Sequence, residues 1–180
     1  MSKYPKYPKT KGLYFSCKHW RTPVKVGRSQ VTCSSFLYSG GLDPKPDYGI
    51  YMCSAWRDKL SPFWTDGAYV KRAAALRQYP ALVVDWPDMG ILKPELLDQL
   101  VEICLSKMRQ GKRIDLGCNA GHGRTGSLLA CLIARKEHLS GDRAIIEVRR
   151  RYCSHAIETR MQEEAVRRYI DEWGRRQEHG

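Results

Sequence analysis

Cys118-Asn119-Ala120-Gly121-His122-Gly123-Arg124-Thr125-Gly126 lies between a run patterned as a buried strand, Arg113 to Gly117, and a segment with helical spacing from about Arg124 to His138. A glycine-rich turn in that setting directs backbone N–H groups at one point, and the N-terminal end of the helix adds positive potential there. The turn is suited to hold a dianionic phosphoryl group, with Asn119, Ala120, Gly121, His122, Gly123 and Arg124 as its phosphate-binding residues. Cys118 stands at the base of this cradle, where the helix end and a nearby guanidinium favour the thiolate, the nucleophilic form of cysteine. Arg124, six positions on, reaches back across the turn to grip two nonbridging oxygens in a bidentate fork that lysine cannot imitate.

Two other phosphate motifs overlap this stretch and fail. Gly121, Gly123 and Gly126 satisfy the dinucleotide pattern GxGxxG, but that reading wants an early βαβ unit with an acidic residue on the next strand. Here the motif lies late and is followed by helical, arginine-rich sequence, and Cys118 and Arg124 are left without a task. A Walker A loop fails because its lysine is absent and the spacing from Gly117 does not fit.

Outward from the turn, Ala81 to Val84 is predicted as a buried strand and Asp85-Trp86-Pro87-Asp88-Met89-Gly90 as a loop. Pro94 suits the first turn of a helix to about Gln110, with Leu97, Leu100, Val101, Cys104 and Met108 on one face and Gly111 as its stop. Two more helices are expected, at about Asp142 to Tyr152 and Glu158 to Trp173. Upstream, Val24 to Leu37 reads as strand-rich with Gly27 and Ser34 as breaks, Ser39 to Tyr48 as loop, and Gly67 to Gln78 as helix. The alternation predicts an α/β fold, a central, mainly parallel sheet flanked by helices. At 180 residues the chain fits a single domain.

The net charge of +12 favours anionic partners. Eight of those charges lie in positions 1–42, which contain no Asp or Glu, and residues 1–12 with their Tyr-Pro-Lys repeat read as a basic flexible arm, more simply solvated than dedicated to nucleic acid. The longest apolar stretch, Ser127 to Ala134, is too short to span a membrane, so a cytoplasmic protein without membrane contact is expected. Seven cysteines in a chain of this size suit a reducing compartment. Cys17 with His19 and Cys153 with His155 come nearest to metal ligands, but neither pair repeats at zinc-ribbon or finger spacing, so no metal or cofactor is expected.

CxxGxGRTG, matched at Cys118, Gly121, Gly123, Arg124, Thr125 and Gly126, resembles the signature of the cysteine-based protein tyrosine phosphatase superfamily, HCxxGxxRT or RS. Trp86-Pro87-Asp88 resembles that family's WPD loop, and Glu158-Thr159-Arg160-Met161-Gln162 its glutamine loop, QTxxQ, with Glu158 in place of the first Gln. The likeness spans roughly Leu82 to Trp173, which makes residues 13–180 the expected catalytic domain. It implies a metal-free, two-step phosphoryl transfer in which Cys118 attacks phosphorus, Asp88 protonates the leaving oxygen and Arg124 holds the equatorial oxygens. Gln162 then positions a water and Thr125 stabilises the departing sulfur.

Asp85 is a rival acid, Asp115 reads as a structural hydrogen-bonding residue, and His122 either contacts substrate or points away. One departure stands out: the family's His before the nucleophile is Gly117 here. The resemblance implies a phosphorylated protein or peptide as partner, with phosphotyrosine first and dual specificity next. RNA 5′-triphosphatases share the fold and suit the positive charge; phosphoinositide phosphatases place Lys where Asn119 and His122 stand. A phosphate-binding module without turnover is the nonenzymatic alternative.

Overall fold

The computed structural model describes residue 17 and residues 22–35, 46–52, 65–69 and 79–178. Among them six strands, β1 (Val24–Val26), β2 (Ser29–Ser35), β3 (Tyr48–Tyr51), β4 (Thr65–Tyr69), β5 (Pro80–Val83) and β6 (Ile114–Cys118), form one sheet in the order β1-β2-β6-β3-β5-β4. The four inner strands are parallel, and β1 and β4 close the edges antiparallel. This is the mainly parallel α/β sheet expected from the alternation of elements. β6 is buried along its whole length, as an inner parallel strand must be, and its carboxyl end opens at the middle of the sheet, where open α/β folds place ligands.

Four helices complete the described fold: α1 (Pro94–Arg109), α2 (Gly123–Glu137), α3 (Gly141–Arg151) and α4 (Arg160–Glu178). Pro94 starts α1, and Leu97, Leu100, Val101, Cys104, Leu105 and Met108 form its buried stripe. α2 is different: every residue from Gly123 to Ala134 is buried, because the helix lies among β6, β1 and the other three helices. A helix enclosed on all sides is mostly apolar, which is why Ser127 to Ala134 is the longest apolar run in the chain, while the buried polar residues Arg124, Thr125 and Ser127 lie in its first turns. No helix among the described residues is long and apolar enough to cross a membrane.

Several elements differ from expectation. Gly67 to Tyr69, expected to begin a helix, belongs to β4, paired antiparallel with β5; positions 70–78 lie outside the described residues, as do the arm at 1–12 and positions 39–45 of the expected loop. Ser34 does not break β2: its hydroxyl donates to Asp115 Oδ2 on β6 at 2.7 Å, so a polar residue sits inside the sheet without an unmet group. α4 begins at Arg160, not Glu158, because Ile157 turns the chain at φ 63° and Thr159 Oγ1 accepts from the Gln162 amide at 3.1 Å. β3 is an element the sequence reading missed.

The last residue of β3 explains the glycine before the nucleophile. Tyr51 is fully buried, and its hydroxyl donates to Asp115 Oδ2 at 2.9 Å and meets the Tyr79 hydroxyl. The Tyr51 ring lies across β6 so closely that a Cβ at Gly117 would come within 2.8 Å of it and 3.0 Å of Ser34 Oγ. The place of the family's His side chain is filled from the neighbouring strand. Gly117→Ala should therefore lower the unfolding free energy by ~1–3 kcal/mol through overpacking, and Gly117→His should lower it further. Urea denaturation midpoints measure both, and a Gly117→His protein as stable as wild type would refute the account of the Tyr51 ring.

Candidate active site

The turn 118–126 closes the end of β6 and becomes the first turn of α2. Of its glycines only Gly121, at φ 82°, needs the left-handed region. Gly123 and Gly126 serve close approach: a Cβ on Gly123 would lie 2.6 Å from Glu158 Oε2 and 2.9 Å from the Gln162 amide, and one on Gly126 would lie 2.9 Å from the Ile157 nitrogen. The start of α2 is thus pressed against the segment from Ala156 to Gln162. The Gly126 and Ile157 N–H groups both donate to the His122 carbonyl, at 2.8 and 3.3 Å. From the other side Ser35 Oγ donates to the Asn119 carbonyl at 2.7 Å, and the Tyr152 hydroxyl donates to the Gly121 carbonyl. With its carbonyls tied back in this way, the turn holds a fixed shape.

Cys118 is buried at the end of β6, in the cradle's floor. Burial and the nearby Cys118 and Cys33 sulfurs push the Tyr152 phenol well up, so it stays a donor to Gly121. Burial, Asp115 and Cys118 likewise push up Cys33, which remains a neutral thiol on the adjoining strand. His122 caps the start of α2 with its ring buried, not projecting into solvent, and burial with the neighbouring His155 pushes it down to about 4, so the ring is neutral at ordinary pH. Ala120 is half-buried. Thr125 is fully buried, and its Oγ1 has no hydrogen-bond partner among the described residues.

Arg124 gathers the rest of the site. Its side chain is 5% exposed, and the fork donates to the Trp86 carbonyl at 2.9 Å and to Asp88 Oδ1 at 2.7 Å. The structure therefore brings Asp88 to the cradle, while Asp85 is exposed and forms no ion pair among the described residues. The acid-bearing loop is fastened at its far end too. The Gly90 carbonyl accepts from Trp86 Nε1 at 3.0 Å and from Gln162 Nε2 at 3.2 Å, and Thr159 Oγ1 donates to the Met89 carbonyl at 3.4 Å. Met89 itself turns the loop at φ 58°.

Gln162 is buried beside Gly123 and joins two loops, its Oε1 accepting from the Glu158 and Thr159 N–H groups at 2.9 and 3.3 Å. Glu158 accepts from the Gly123 N–H at 2.9 Å, so a carboxylate touches the amide that opens α2. Sequence reasoning marked Glu158 as a departure from QTxxQ but assigned it no contact. It missed Tyr152, Ser35 and the Trp86 and Gly90 carbonyls altogether, and for these a lone sequence carries no signal. Among the described residues, metal-ligand types converge outside the cradle, at Cys17, Cys153 and His155.

No protein-family model matches the chain. Uncharacterized protein MJ0215 of Methanocaldococcus jannaschii is 35% identical over 119 residues, 63% of this chain and 72% of that protein. Protein tyrosine phosphatase domain-containing protein 1 of Danio rerio is 36% identical over 84 residues, 47% of this chain but 12% of that much longer protein. Among solved structures, the active form of Tk-PTP superposes with a TM-score of 0.62 at 20% identity, over 82% of this chain and 96% of that one. A strand-end cysteine and a buried arginine facing the Asp88 carboxylate thus lie on the fold of the cysteine-based protein tyrosine phosphatases, and over about half its length the chain is similar to a protein tyrosine phosphatase domain-containing protein.

Proposed function

We propose that the protein hydrolyses phosphate monoesters of proteins, phosphotyrosine first, through a cysteinyl-phosphate formed on Cys118. The observation that carries this reading is the double grip of Arg124 on the Trp86 carbonyl and the Asp88 carboxylate, which holds the acid loop over an anion cradle. The phosphoryl oxygens of a substrate take the place of the Asp88 carboxylate on Arg124 and of solvent on the loop N–H groups. Asp88, released from the guanidinium but still in the loop, takes up a proton from solvent. The Cys118 thiolate attacks phosphorus, the P–O bond to the leaving group breaks, and Asp88 delivers its proton to that oxygen.

In the second step a water attacks the cysteinyl-phosphate, Asp88 takes its proton, and the P–S bond breaks to return the thiolate. The Thr125 hydroxyl, buried without another partner among the described residues, donates to the departing sulfur. Gln162 Nε2 has a second proton beyond the one it gives Gly90, and with it orients the water. Arg124 and the loop N–H groups hold the equatorial charge throughout. The tyrosine preference rests on the WPD and glutamine-loop segments, and the positive charge suits acidic phosphopeptides.

Cys118→Ser should abolish turnover of p-nitrophenyl phosphate, and Asp88→Ala should slow it by roughly 10²- to 10⁴-fold while retaining substrate binding. Equal rates for wild type and Cys118→Ser would remove the nucleophile. Parallel assays on phosphotyrosine peptide, phosphoserine peptide and triphosphate-ended RNA test the substrate class. Turnover confined to phosphotyrosine with weak salt dependence is expected, and RNA turnover falling steeply with salt would replace the peptide reading.

Glu158→Gln keeps an acceptor for the Gly123 amide but removes a negative charge from the cradle's edge. Tungstate should then bind more tightly by roughly fivefold, the size of a ~1 kcal/mol charge interaction at a partly exposed site. Calorimetry measures this, and unchanged affinity would place the Glu158 charge outside the field that the anion feels.

A further inference from the structure

The sequence contains two Cys-x-His pairs, Cys17 with His19 and Cys153 with His155, separated by most of the chain and unlike any zinc-finger spacing. The fold brings three of these four residues together; His19 lies outside the described residues. The two sulfurs are 3.8 Å apart, and His155 Nδ1 lies 3.6 Å from Cys17 Sγ and 3.9 Å from Cys153 Sγ. Tetrahedral zinc with its usual Zn–S and Zn–N bond lengths requires sulfur–sulfur separations of about 3.8 Å and sulfur–nitrogen separations of about 3.6 Å. Two edges of the donor triangle therefore match one face of a zinc tetrahedron, and the third, Cys153 Sγ to His155 Nδ1, is about 0.3 Å longer.

We propose that Cys17, Cys153 and His155 bind a zinc ion, which fastens the segment at residue 17 to the turn that braces the phosphate cradle. That turn is rigid. It leaves α3 after Tyr152, the Ala156 N–H donates to the Cys153 carbonyl at 2.9 Å, and the Arg149 guanidinium donates to the Ala156 and Ile157 carbonyls at 3.1 Å each. Two donors are thus preorganised within three residues, and Cys17 supplies the third from 136 residues away.

The donor set is soft and borderline, as zinc prefers, and two thiolates neutralise the dication in a partly buried place. Without metal, burial and the adjoining Cys17 push the Cys153 thiol up to about 11, so it is held as a thiol. Binding releases two protons as two Zn–S bonds form, and His155 coordinates through the Nδ1 lone pair of its neutral ring. The fourth position is left to water. The His155 ring stands edge-on to His122 in the cradle, centroids 6.1 Å apart, so an ion fixing His155 also fixes the wall against which His122 rests.

The test uses the full chain, reduced, stripped with a chelator, desalted and given zinc or cobalt(II). One zinc per chain should remain after gel filtration. The cobalt form should show a thiolate-to-cobalt charge-transfer band with the visible bands of tetrahedral coordination, and zinc should raise the melting temperature. Cys118→Ser should retain the metal, whereas Cys153→Ser and His155→Ala should weaken zinc binding on the order of a hundredfold or more in competition with a chromophoric chelator.

His155 is exposed, so its alanine variant tests the site even where the buried Cys153→Ser protein folds poorly. Failure of reduced wild type to retain zinc would overturn the proposal, as would a cobalt spectrum lacking sulfur charge transfer or metal lost with Cys118→Ser. A Cys17–Cys153 disulfide found by mass spectrometry, together with no zinc binding after reduction, would replace it with a redox pair. Each readout is independent of phosphatase activity, so failure of either reading leaves the other standing.

Discussion

Gly123 and Gly126 carry no side chains into the crevice between α2 and the segment from Ala156 to Gln162, and the site depends on that closeness. A Cβ at either position would meet backbone or a committed side chain at 2.9 Å or less. Because the gap is so narrow, the His122 carbonyl accepts from Ile157, the Glu158 carboxylate reaches the Gly123 amide, and the Gln162 side chain reaches past α2 to the acid loop at Gly90. The cradle, the glutamine-loop segment and the acid loop are therefore one hydrogen-bonded body. A wider α2 would leave each of them to hold its own shape in solvent.

The parts of this arrangement that a reader of the sequence could find are those whose chemistry is local. The cradle, its cysteine and its arginine occupy nine consecutive residues, and the fully buried α2 announces itself as an apolar run. α1 was legible through Pro94, its apolar face and Gly111. Trp86-Pro87-Asp88 was found by resemblance, and its pairing with Arg124 gives that match a physical basis.

What stayed hidden was decided by distant partners. β3 is four residues long and carries a glycine, and it is a strand because β5 and β6 flank it. β4 looked helical by local composition, and its pairing with β5 decides otherwise. Gly117 read as a missing histidine, when the Tyr51 ring from another strand fills the space. The convergence of Cys17 with Cys153 and His155 cannot be seen in spacing at all, since ligands drawn from two ends of a chain leave no fixed interval between them.

With Asp88 seated on Arg124, an internal carboxylate occupies the guanidinium that the proposed chemistry assigns to a phosphate ester. Any incoming anion must trade places with it. Chloride or nitrate replaces one negative charge by one and gains nothing from the exchange, whereas a doubly charged ester brings a surplus that the helix end and the ring of amides can use. On the proposed reading, the latched loop favours a doubly charged ester over monovalent salt in that exchange.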